Sequence, residues 1–131
     1  MKKITFIFAF FLLISCNHEV ISPASENSLN GKWNWISSSG GFAGHTITPE
    51  TEKKTVVLEI SNSAVKKYEN GNLVFEYTFT IQTHSSIFGG DRKMIVPEND
   101  GIKQSFEIAG GKLSLSEECA DCYQSKYERI K

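Results

Sequence analysis

The stretch LVFEYTFTIQ, residues 73–82, decides the fold class of this chain. Apolar or aromatic residues recur in it at every second position, and most of the residues between them are polar. Because successive side chains of a β-strand point to opposite faces, this period of two predicts a strand with one buried face. The residues expected on that face are Leu73, Phe75, Tyr77, Phe79 and Ile81.

Seven shorter segments of the chain show a similar strand-like pattern. The segment 64–69 alternates least well, because Val65 and Tyr68 fall on opposite faces. Turn sequences such as Gly110-Gly111 separate the segments and supply the positive φ angles that tight hairpins need. The seven segments are residues 32–37, 54–61, 64–69, 93–96, 103–109, 112–116 and 123–130.

Eight strands in this order favour a barrel. Most connections are too short for the crossovers that parallel strands require, so neighbouring strands are expected to be antiparallel. Eight strands joined by hairpins close naturally into an up-and-down barrel, and an open or two-sheet sandwich is the alternative. The sequence has no helical periodicity. We therefore predict an all-β, eight-stranded antiparallel up-and-down barrel over residues 30–131.

The N-terminal residues indicate where the protein goes rather than how it folds. Lys2 and Lys3 precede an apolar run over residues 4–14. A helix needs roughly 20 residues to span a bilayer, so this shorter run predicts the apolar region of a secretory signal peptide. The following residues 13–16, Leu-Ile-Ser-Cys, resemble the lipobox of bacterial lipoproteins.

The lipobox resemblance implies that Cys16 becomes the first residue of the mature chain and carries acyl chains. Several acyl chains give stable attachment to a membrane. Position 17 is Asn rather than Asp, so the inner-membrane retention signal known for lipoproteins of some bacteria is absent, and the resemblance favours the outer membrane. We expect a removed signal peptide over residues 1–15, the lipidated Cys and a flexible tether over residues 16–29, and a location in the bacterial cell envelope.

Charge and motifs exclude several classes of function. The chain has 14 basic and 15 acidic side chains, and loss of Lys2 and Lys3 with the signal peptide leaves a net charge of -3. A nucleic-acid partner is not expected, because such proteins usually carry a basic face. The sequence contains no P-loop, dinucleotide, GxSxG or HExxH motif. We therefore predict a protein that is not an enzyme and uses no cofactor or metal.

A short motif at each end of the predicted barrel carries a family resemblance. Gly31-Lys32-Trp33 resembles the Gly-X-Trp signature on the first strand of calycins, the superfamily of lipocalins, fatty-acid-binding proteins and avidins. Arg129 is similar to the Arg on their last strand. The resemblance, which covers residues 29–131, implies a lipocalin-like barrel in which Arg129 lies across the Trp33 ring and closes one end. The alternative is a buried Trp33 beside a solvated Arg129.

The strand order gathers several loops at the other end of the barrel, and the calycin resemblance implies that this end is the open mouth. Loops over residues 38–52, 70–72, 97–102 and 117–122 gather there, and the first of them is the longest. Phe42 and His45 lie in this first loop. His84 is expected in a loop at the opposite end.

Cys119 and Cys122 form a CxxC motif between the last two predicted strands. In a tight turn the two Cα atoms lie close to the distance that a disulfide requires, so a small local disulfide is expected. A redox-active pair of the thioredoxin type needs a βαβ context that is absent from the sequence. A structural zinc site needs four ligands, and the sequence offers no second pair.

Two functions from different classes fit these observations. The first is a lipid-anchored binding module for a small apolar ligand, and the alternative for the same side chains is a dry core. The second is a non-enzymatic protein-interaction module with a filled barrel, such as an envelope accessory or a hydrolase inhibitor. An exposed Phe42 would favour the second. The candidate lining residues of the first are Trp35, Phe75, Tyr77, Phe79, Phe106 and Tyr127.

Overall fold

The structure is a computed structural model that describes residues 28–131. The predictions of a signal peptide, of lipidation at Cys16 and of a tether over residues 16–29 fall almost entirely outside the described residues. Within residues 28–131, the structure contains no helix with the length and hydrophobicity to cross a bilayer.

The described residues form nine strands and one short helix. All strand pairs are antiparallel, and most strands are joined to the next by a short turn. In chain order the elements are β1 Gly31–Gly40, β2 His45–Ile47, α1 Pro49–Glu52, β3 Val56–Ser61, β4 Ala64–Glu69, β5 Asn72–Ser85, β6 Asp91–Pro97, β7 Gln104–Ala109, β8 Lys112–Glu117 and β9 Tyr123–Arg129.

Eight of these strands close into a barrel. The sheet runs from β1 through β3 to β9 in chain order, and β9 then pairs with β1 along seven residue pairs. This closure confirms the all-β, eight-stranded antiparallel barrel and removes the sandwich alternative. A closed barrel has no free sheet edge except where one strand extends beyond the end of its neighbour.

The ninth strand and the helix lie in the segment that sequence analysis treated as a loop. β2 pairs with the last residues of β1, on the same edge as β3. α1 begins after Thr48, whose hydroxyl accepts a hydrogen bond from the Thr51 backbone N–H at 3.3 Å, and Thr51 Oγ1 accepts one from Thr48 N at 2.8 Å. Pro49 fits the first helical position because its missing N–H is not needed there.

The barrel interior is a single hydrophobic core built from all sides of the sheet. Trp33 is completely buried, and Ile95 and Leu113 are equally inaccessible on the far strands. Partly buried Leu29, Ile47, Tyr77, Phe106 and Ile108 pack against this core. Its buried members are Trp33, Trp35, Val56, Leu58, Ile60, Val65, Phe79, Ile95, Leu113, Leu115 and Tyr127.

A β-bulge in β1 sets which side chains face the interior. Trp35 pairs with Tyr127 and Ser37 pairs with Lys126, so Ile36 is an extra residue on β1. The bulge interrupts the two-residue alternation, and Ser38 consequently returns to the buried side three residues after Trp35.

A second bulge corrects the expected face of Leu73. Phe75 pairs with Lys67 and Leu73 pairs with Tyr68, so Val74 is the extra residue on β5. Leu73 therefore shares a face with Tyr68, outside the barrel, and is 51% exposed. The inward residue of β4 at this level is Lys67, which explains the poor apolar alternation of that strand.

Ile81 is also more exposed than predicted. It pairs with the fully buried Ile95 and so belongs to the inner face, yet 46% of it is accessible. β4 ends its pairing with β5 at Thr78, so none of the described strands covers Ile81 from that side.

One end of the barrel is closed by Arg129 and Trp33. The guanidinium carbon lies 4.2 Å from the centre of the Trp33 ring, and Arg129 Nη1 donates a hydrogen bond to Asn30 O at 2.9 Å. Arg129 Nη2 donates to Ser28 O. Gly31 has a φ of +145°, and a Cβ there would lie 2.5 Å from Arg129 Nη1. Glycine is thus required beneath the arginine.

The β5–β6 hairpin departs from the regular meander. β6 and β7 are paired only at Met94–Ser105 and Ile95–Gln104, so the turn of the hairpin is free to leave the barrel wall. Met94 and Ser105 are both buried although they alternate with inward residues. His84 lies in strand β5 rather than in a loop, hydrogen-bonded to Gln82 at 2.8 Å.

The turn of this hairpin is hydrogen-bonded to Glu118, the residue that follows β8. Glu118 accepts hydrogen bonds from Ser86 Oγ and from Ile87 N, both at 2.9 Å. The strand order had placed the loop of His84 and residues 117–122 at opposite ends of the barrel. The hairpin is long enough to bring them together, which corrects that expectation.

Arg129→Met should reduce the free energy of unfolding by roughly 2 kcal/mol, because it removes two charge-assisted hydrogen bonds and the contact with the indole. Arg129→Lys keeps the positive charge but not the guanidinium that makes both hydrogen bonds. Its free energy of unfolding should lie between those of wild type and Arg129→Met. Urea denaturation measures both, with Lys126→Met, an exposed residue of the same strand, as the control. A loss below about 0.5 kcal/mol, typical of surface substitutions, would contradict the role of Arg129.

Glu118 should make stability pH-dependent. Burial raises the pKa of Glu118, but the hydrogen bonds from Ile87 N and Ser86 Oγ, the nearby Ser105 hydroxyl and the charge of Arg92 outweigh burial, and the pKa lies below the ordinary 4.5. A carboxyl whose pKa is lowered in the folded state stabilises the fold above its unfolded pKa, and this contribution disappears as the pH falls through the folded pKa.

Urea denaturation of wild type and Glu118→Gln at neutral and acidic pH tests this. The difference between their unfolding free energies should be largest at neutral pH and should vanish at the acidic one. Glu107→Gln, at an exposed site on β7, is the matched control. A pH-independent difference would refute the role of the Glu118 carboxylate.

Candidate functional site

A cavity of about 310 Å³ opens at the end of the barrel opposite Arg129. It lies where β1, β4 and β8 end and where β3, β5 and β9 begin. Its lining residues come from most of the barrel strands and from β2. They are Trp35, Ser38, Ile47, Lys54, Val56, Leu58, Val65, Lys67, Phe75, Tyr77, Gln104, Leu115, Glu117, Tyr123, Ser125 and Tyr127.

The floor of the cavity is apolar. Val56, Leu58, Val65 and Leu115 are buried aliphatic side chains that the strands direct inward. Trp35 lies beside them at 4% exposure. Such a surface favours the apolar part of a ligand, because burying it there removes apolar area from water on both sides.

The polar atom of Trp35 is satisfied within the protein. Trp35 Nε1 donates a hydrogen bond to Ser38 Oγ at 2.8 Å, and Ser38 Oγ lies 2.6 Å from Ser125 Oγ. Ser38 reaches this position through the bulge at Ile36. The indole is thereby fixed with its ring toward the cavity, and the two hydroxyls add a small polar spot to the wall.

Two lysines and one glutamate form one side of the rim. Lys54 Nζ and Lys67 Nζ lie 3.2 and 3.1 Å from Glu69 Oε1. The hydrogen bonds from Lys67 and Lys54 lower the pKa of Glu69, so this carboxylate is charged at neutral pH. Lys67 Nζ also lies 5.3 Å from the centre of the Phe75 ring. The group carries one net positive charge.

A carboxylate and three phenols form the other side. Glu117 Oε2 accepts a hydrogen bond from Tyr123 N at 2.9 Å. Burial, and secondly the charge of Glu117, raises the pKa of Tyr77 to about 12. The pKa of Tyr127 is also raised to about 12, chiefly by burial. Both phenols are therefore neutral and can donate or accept a hydrogen bond at physiological pH.

A disulfide shapes the loop beside Glu117. Cys119 and Cys122 are bonded, with their Cα atoms 5.5 Å apart. The turn packs tightly on the end of β1, since a Cβ at Gly40 would lie 2.2 Å from Cys122 O. A Glu117 oxygen and the two sulfurs lie within 4.8 Å of one another. Metals bind thiolates, and both sulfurs are held in the disulfide.

The structure separates the predicted lining residues into two groups. Trp35, Phe75, Tyr77 and Tyr127 line the cavity. Phe79 and Phe106 do not, which corrects their assignment. Phe79 is 4% exposed, and its N–H donates to Ser63 O in the β3–β4 turn, at the closed end. Phe106 packs against the core at the seam where β7 leaves β6.

The residues predicted for the mouth loop lie outside the cavity. Phe42 is 97% exposed in the turn between β1 and β2, and His45 is exposed at the start of β2. Ile47, from the same segment, does line the cavity. Sequence reasoning missed Ile47 because β2 is only three residues long, too short for a periodic signal.

Sequence reasoning also missed the charged rim residues Lys54, Lys67 and Glu117. Charged residues beside or at strand ends are usually solvated, and Lys54 precedes β3 while Glu117 is the last residue of β8. The inward direction of Lys67 was nevertheless readable, because it is two residues from the buried Val65.

The outer surface carries grooves of a different character. One of about 530 Å³ lies between Asp91, Arg92 and Lys93 and the outer face of β7 to β9. Ser114, Ser116 and Gln124 form its far wall. Its lining is mostly polar, which is unlike the mixture of apolar floor and polar rim that small-molecule sites show. The cavity at the open end is therefore the candidate site.

Comparison with family models, curated proteins and solved structures finds no match for this chain. The interpretation of the cavity therefore depends on its own geometry and chemistry.

Proposed function

We propose that this protein binds a small, largely apolar molecule in the cavity at the open end of a lipocalin-like barrel. The observation that carries the proposal is the cavity itself, about 310 Å³ with an apolar floor. A barrel filled by its own aromatic side chains would leave no such space. The aromatic residues Trp35, Phe75, Tyr77 and Tyr127 instead stand around it.

The size and polarity of the cavity favour a compact ligand with a polar end. Ligand pockets usually measure about 300–1,000 Å³, so this one is at the lower limit and suits a molecule smaller than a membrane lipid. The floor takes the apolar part. Lys67, Glu117 and the neutral Tyr77 at the rim offer both charge signs and a hydroxyl to a polar group.

Binding rather than catalysis is the activity we propose. The ionisable groups of the rim already hold protein partners: both lysines contact Glu69, and Glu117 accepts from Tyr123 N. The tyrosine pKa values of about 12 make Tyr77 and Tyr127 poor bases at neutral pH.

The lipid anchor is the second part of the proposal and rests on sequence. The lipobox-like residues 13–16 support acylation of Cys16 and attachment to the bacterial outer membrane. β1 begins at Gly31, at the closed end of the barrel. A tether that leads into β1 would leave the cavity facing away from the membrane.

Membership of the calycins is likewise a proposal. It is supported by the Gly31-Lys32-Trp33 motif, by the eight-stranded barrel and by Arg129 lying over the Trp33 ring.

Occluding the cavity should abolish binding. Ile47→Trp places a large ring at the entrance and should weaken retention of the bound molecule at least ~10-fold, since each 1.4 kcal/mol changes affinity tenfold. Val57→Trp, on the outer face of β3, is the matched control. Native mass spectrometry of gently purified protein, followed by organic extraction, measures the occupied fraction and the class of molecule.

The expected outcome is a bound mass in wild type and Val57→Trp that is missing from Ile47→Trp. An unliganded mass in all three proteins, with no shift on a panel of small amphipathic molecules, would overturn the proposal.

A protein-interaction module is the second candidate, and Phe42 favours it. A phenyl ring that is 97% exposed contributes almost nothing to the fold, and exposed aromatic side chains are common anchors of protein interfaces. The turn that carries it is held by a hydrogen bond from Gly44 N to Gly41 O at 3.2 Å, so the ring is presented on a defined hairpin.

Phe42→Ala should leave the free energy of unfolding within about 0.5 kcal/mol of wild type, because no buried contact is lost. A photo-crosslinking residue at position 42 should capture a defined protein in envelope preparations of the native host, if the second function holds. Thr46, exposed on the adjacent β2, is the control position. Identical crosslinking from both positions, or none, would remove Phe42 as an interaction site.

A further inference from the structure

Strand β5 has a hydrogen-bonding edge that no other strand of residues 28–131 covers. Its first half, up to Thr78, pairs with β4, and its second half, from Phe79 to Ser85, pairs with β6. The second half therefore has β6 on one side and no strand on the other within residues 28–131.

The backbone pattern shows which groups point from this edge. In an antiparallel ladder, the N–H and C=O of one residue point to the same neighbour, and those of the next residue point to the opposite side. Thr78 O accepts from Glu98 N at 2.9 Å on the β6 side, and Phe79 N donates to Ser63 O at 2.8 Å on the β4 side. Pro97 of β6 has no N–H. It fits opposite Phe79 because the Phe79 backbone groups point away from β6, so this pair forms no β5–β6 hydrogen bond.

Counting in steps of two from Phe79 places Ile81, Thr83 and Ser85 on the uncovered side. Within the described part of the chain, the backbone groups of these residues have no backbone partner beyond β5. They form an edge of three evenly spaced donor–acceptor pairs.

This edge lacks the features that usually prevent pairing. Natural edge strands are protected by lysines, prolines or bulges. Residues 77–90 contain no Lys, Arg, Asp or Glu, and the β5–β6 register is continuous from Phe79 to Ser85. Three exposed apolar side chains lie on the same hairpin, Ile81, Ile87 and Phe88, at 46%, 58% and 39% exposure.

We propose that two copies of this chain pair through these edges, antiparallel, about a two-fold axis at Thr83. In this register Thr83 faces Thr83 of the second copy, and Ile81 faces Ser85. About six backbone hydrogen bonds form, the full set that the three donor–acceptor pairs allow. The pairing is self-complementary, as a two-fold interface requires.

The charge and length of the β5 edge favour a second copy of this chain as its partner. A second copy brings a strand of the same length with no charge, so no like charges oppose each other across the axis. The pairing ends where the free groups end, because Phe79 N is bonded to Ser63 O and Ile87 N to Glu118. The inference is independent of the cavity and of the proposed ligand.

Thr83→Pro tests the backbone contribution. It removes the N–H at the axis without removing a β5–β6 bond, because the Thr83 N–H points away from β6. It should raise the dissociation constant of the dimer roughly 10-fold or more. Thr83→Lys opposes two charges at the axis and should also favour the monomer. Gln124→Lys, exposed on β9, is the control.

Sedimentation equilibrium of the full chain in a mild detergent measures the association, and circular dichroism verifies that each variant is folded. Wild type and Gln124→Lys should dimerise, and both Thr83 variants should be largely monomeric. A monomeric wild type at its solubility limit would overturn the proposal. A dimer unaffected by either folded variant would show that another surface is used.

Disulfide crosslinking tests the axis directly. Facing residues in such a pair have Cα atoms about 5.5 Å apart, which a disulfide can bridge. In a Cys16→Ser background, Thr83→Cys should give a covalent dimer on mild oxidation, and Gln124→Cys should not. Since chance encounters affect both variants equally, equal crosslinking would contradict the axis.

Discussion

The pairing of β9 with β1 is the constraint on which the rest of the molecule depends. The seven residue pairs between the first and last strands turn a meandering sheet into a barrel. Closure gives the inward side chains of opposite strands a common interior, so that Trp33 and Leu113 can both be fully buried. It also brings Arg129 over Trp33 at the closed end and, one inward pair further along, Tyr127 beside Trp35 at the cavity. The closed end and the cavity thus both depend on the register between β1 and β9.

Within that register, two bulges decide where the cavity forms. The extra residue Ile36 lets Ser38 face inward near the open end, where its small hydroxyl takes the place that a bulky side chain would fill. The extra residue Val74 turns Leu73 outward and so removes one apolar side chain from the same end. Bulges change side-chain direction locally without altering the strand order. The two bulges, which interrupt the inward–outward alternation of side chains on β1 and β5, thus help to leave the cavity open.

The sequence predicted the strand order well because alternation and turn chemistry act locally. The Phe75, Tyr77 and Phe79 pattern needs only the two-residue period, and glycine-rich turns need only positive φ. The bulges escaped prediction because they depend on the register between two strands: nothing around Val74 marks it as the extra residue. α1 had a readable start in Thr48-Pro49, but a helix of four residues gives no periodic pattern.

The candidate site was harder to predict than the fold for a physical reason. Whether Phe79 fills the core or lines a cavity depends on its height along the barrel axis, which is set by the stagger of β5 between β4 and β6. Lys54 and Glu69 are fifteen residues apart and meet only through the pairing of β3 with β4. Contacts of this kind come from the closed sheet and not from any local pattern.

The two tryptophans are intrinsic fluorophores two residues apart on β1, one under the closed end of the barrel and one at the cavity. The chain has only Trp33 and Trp35, and both are buried on the same strand. Trp33 lies under the Arg129 guanidinium, away from the cavity, whereas Trp35 faces the cavity. A molecule that enters the cavity meets Trp35 and not Trp33, so a change in intrinsic fluorescence on its addition is expected to arise chiefly at Trp35.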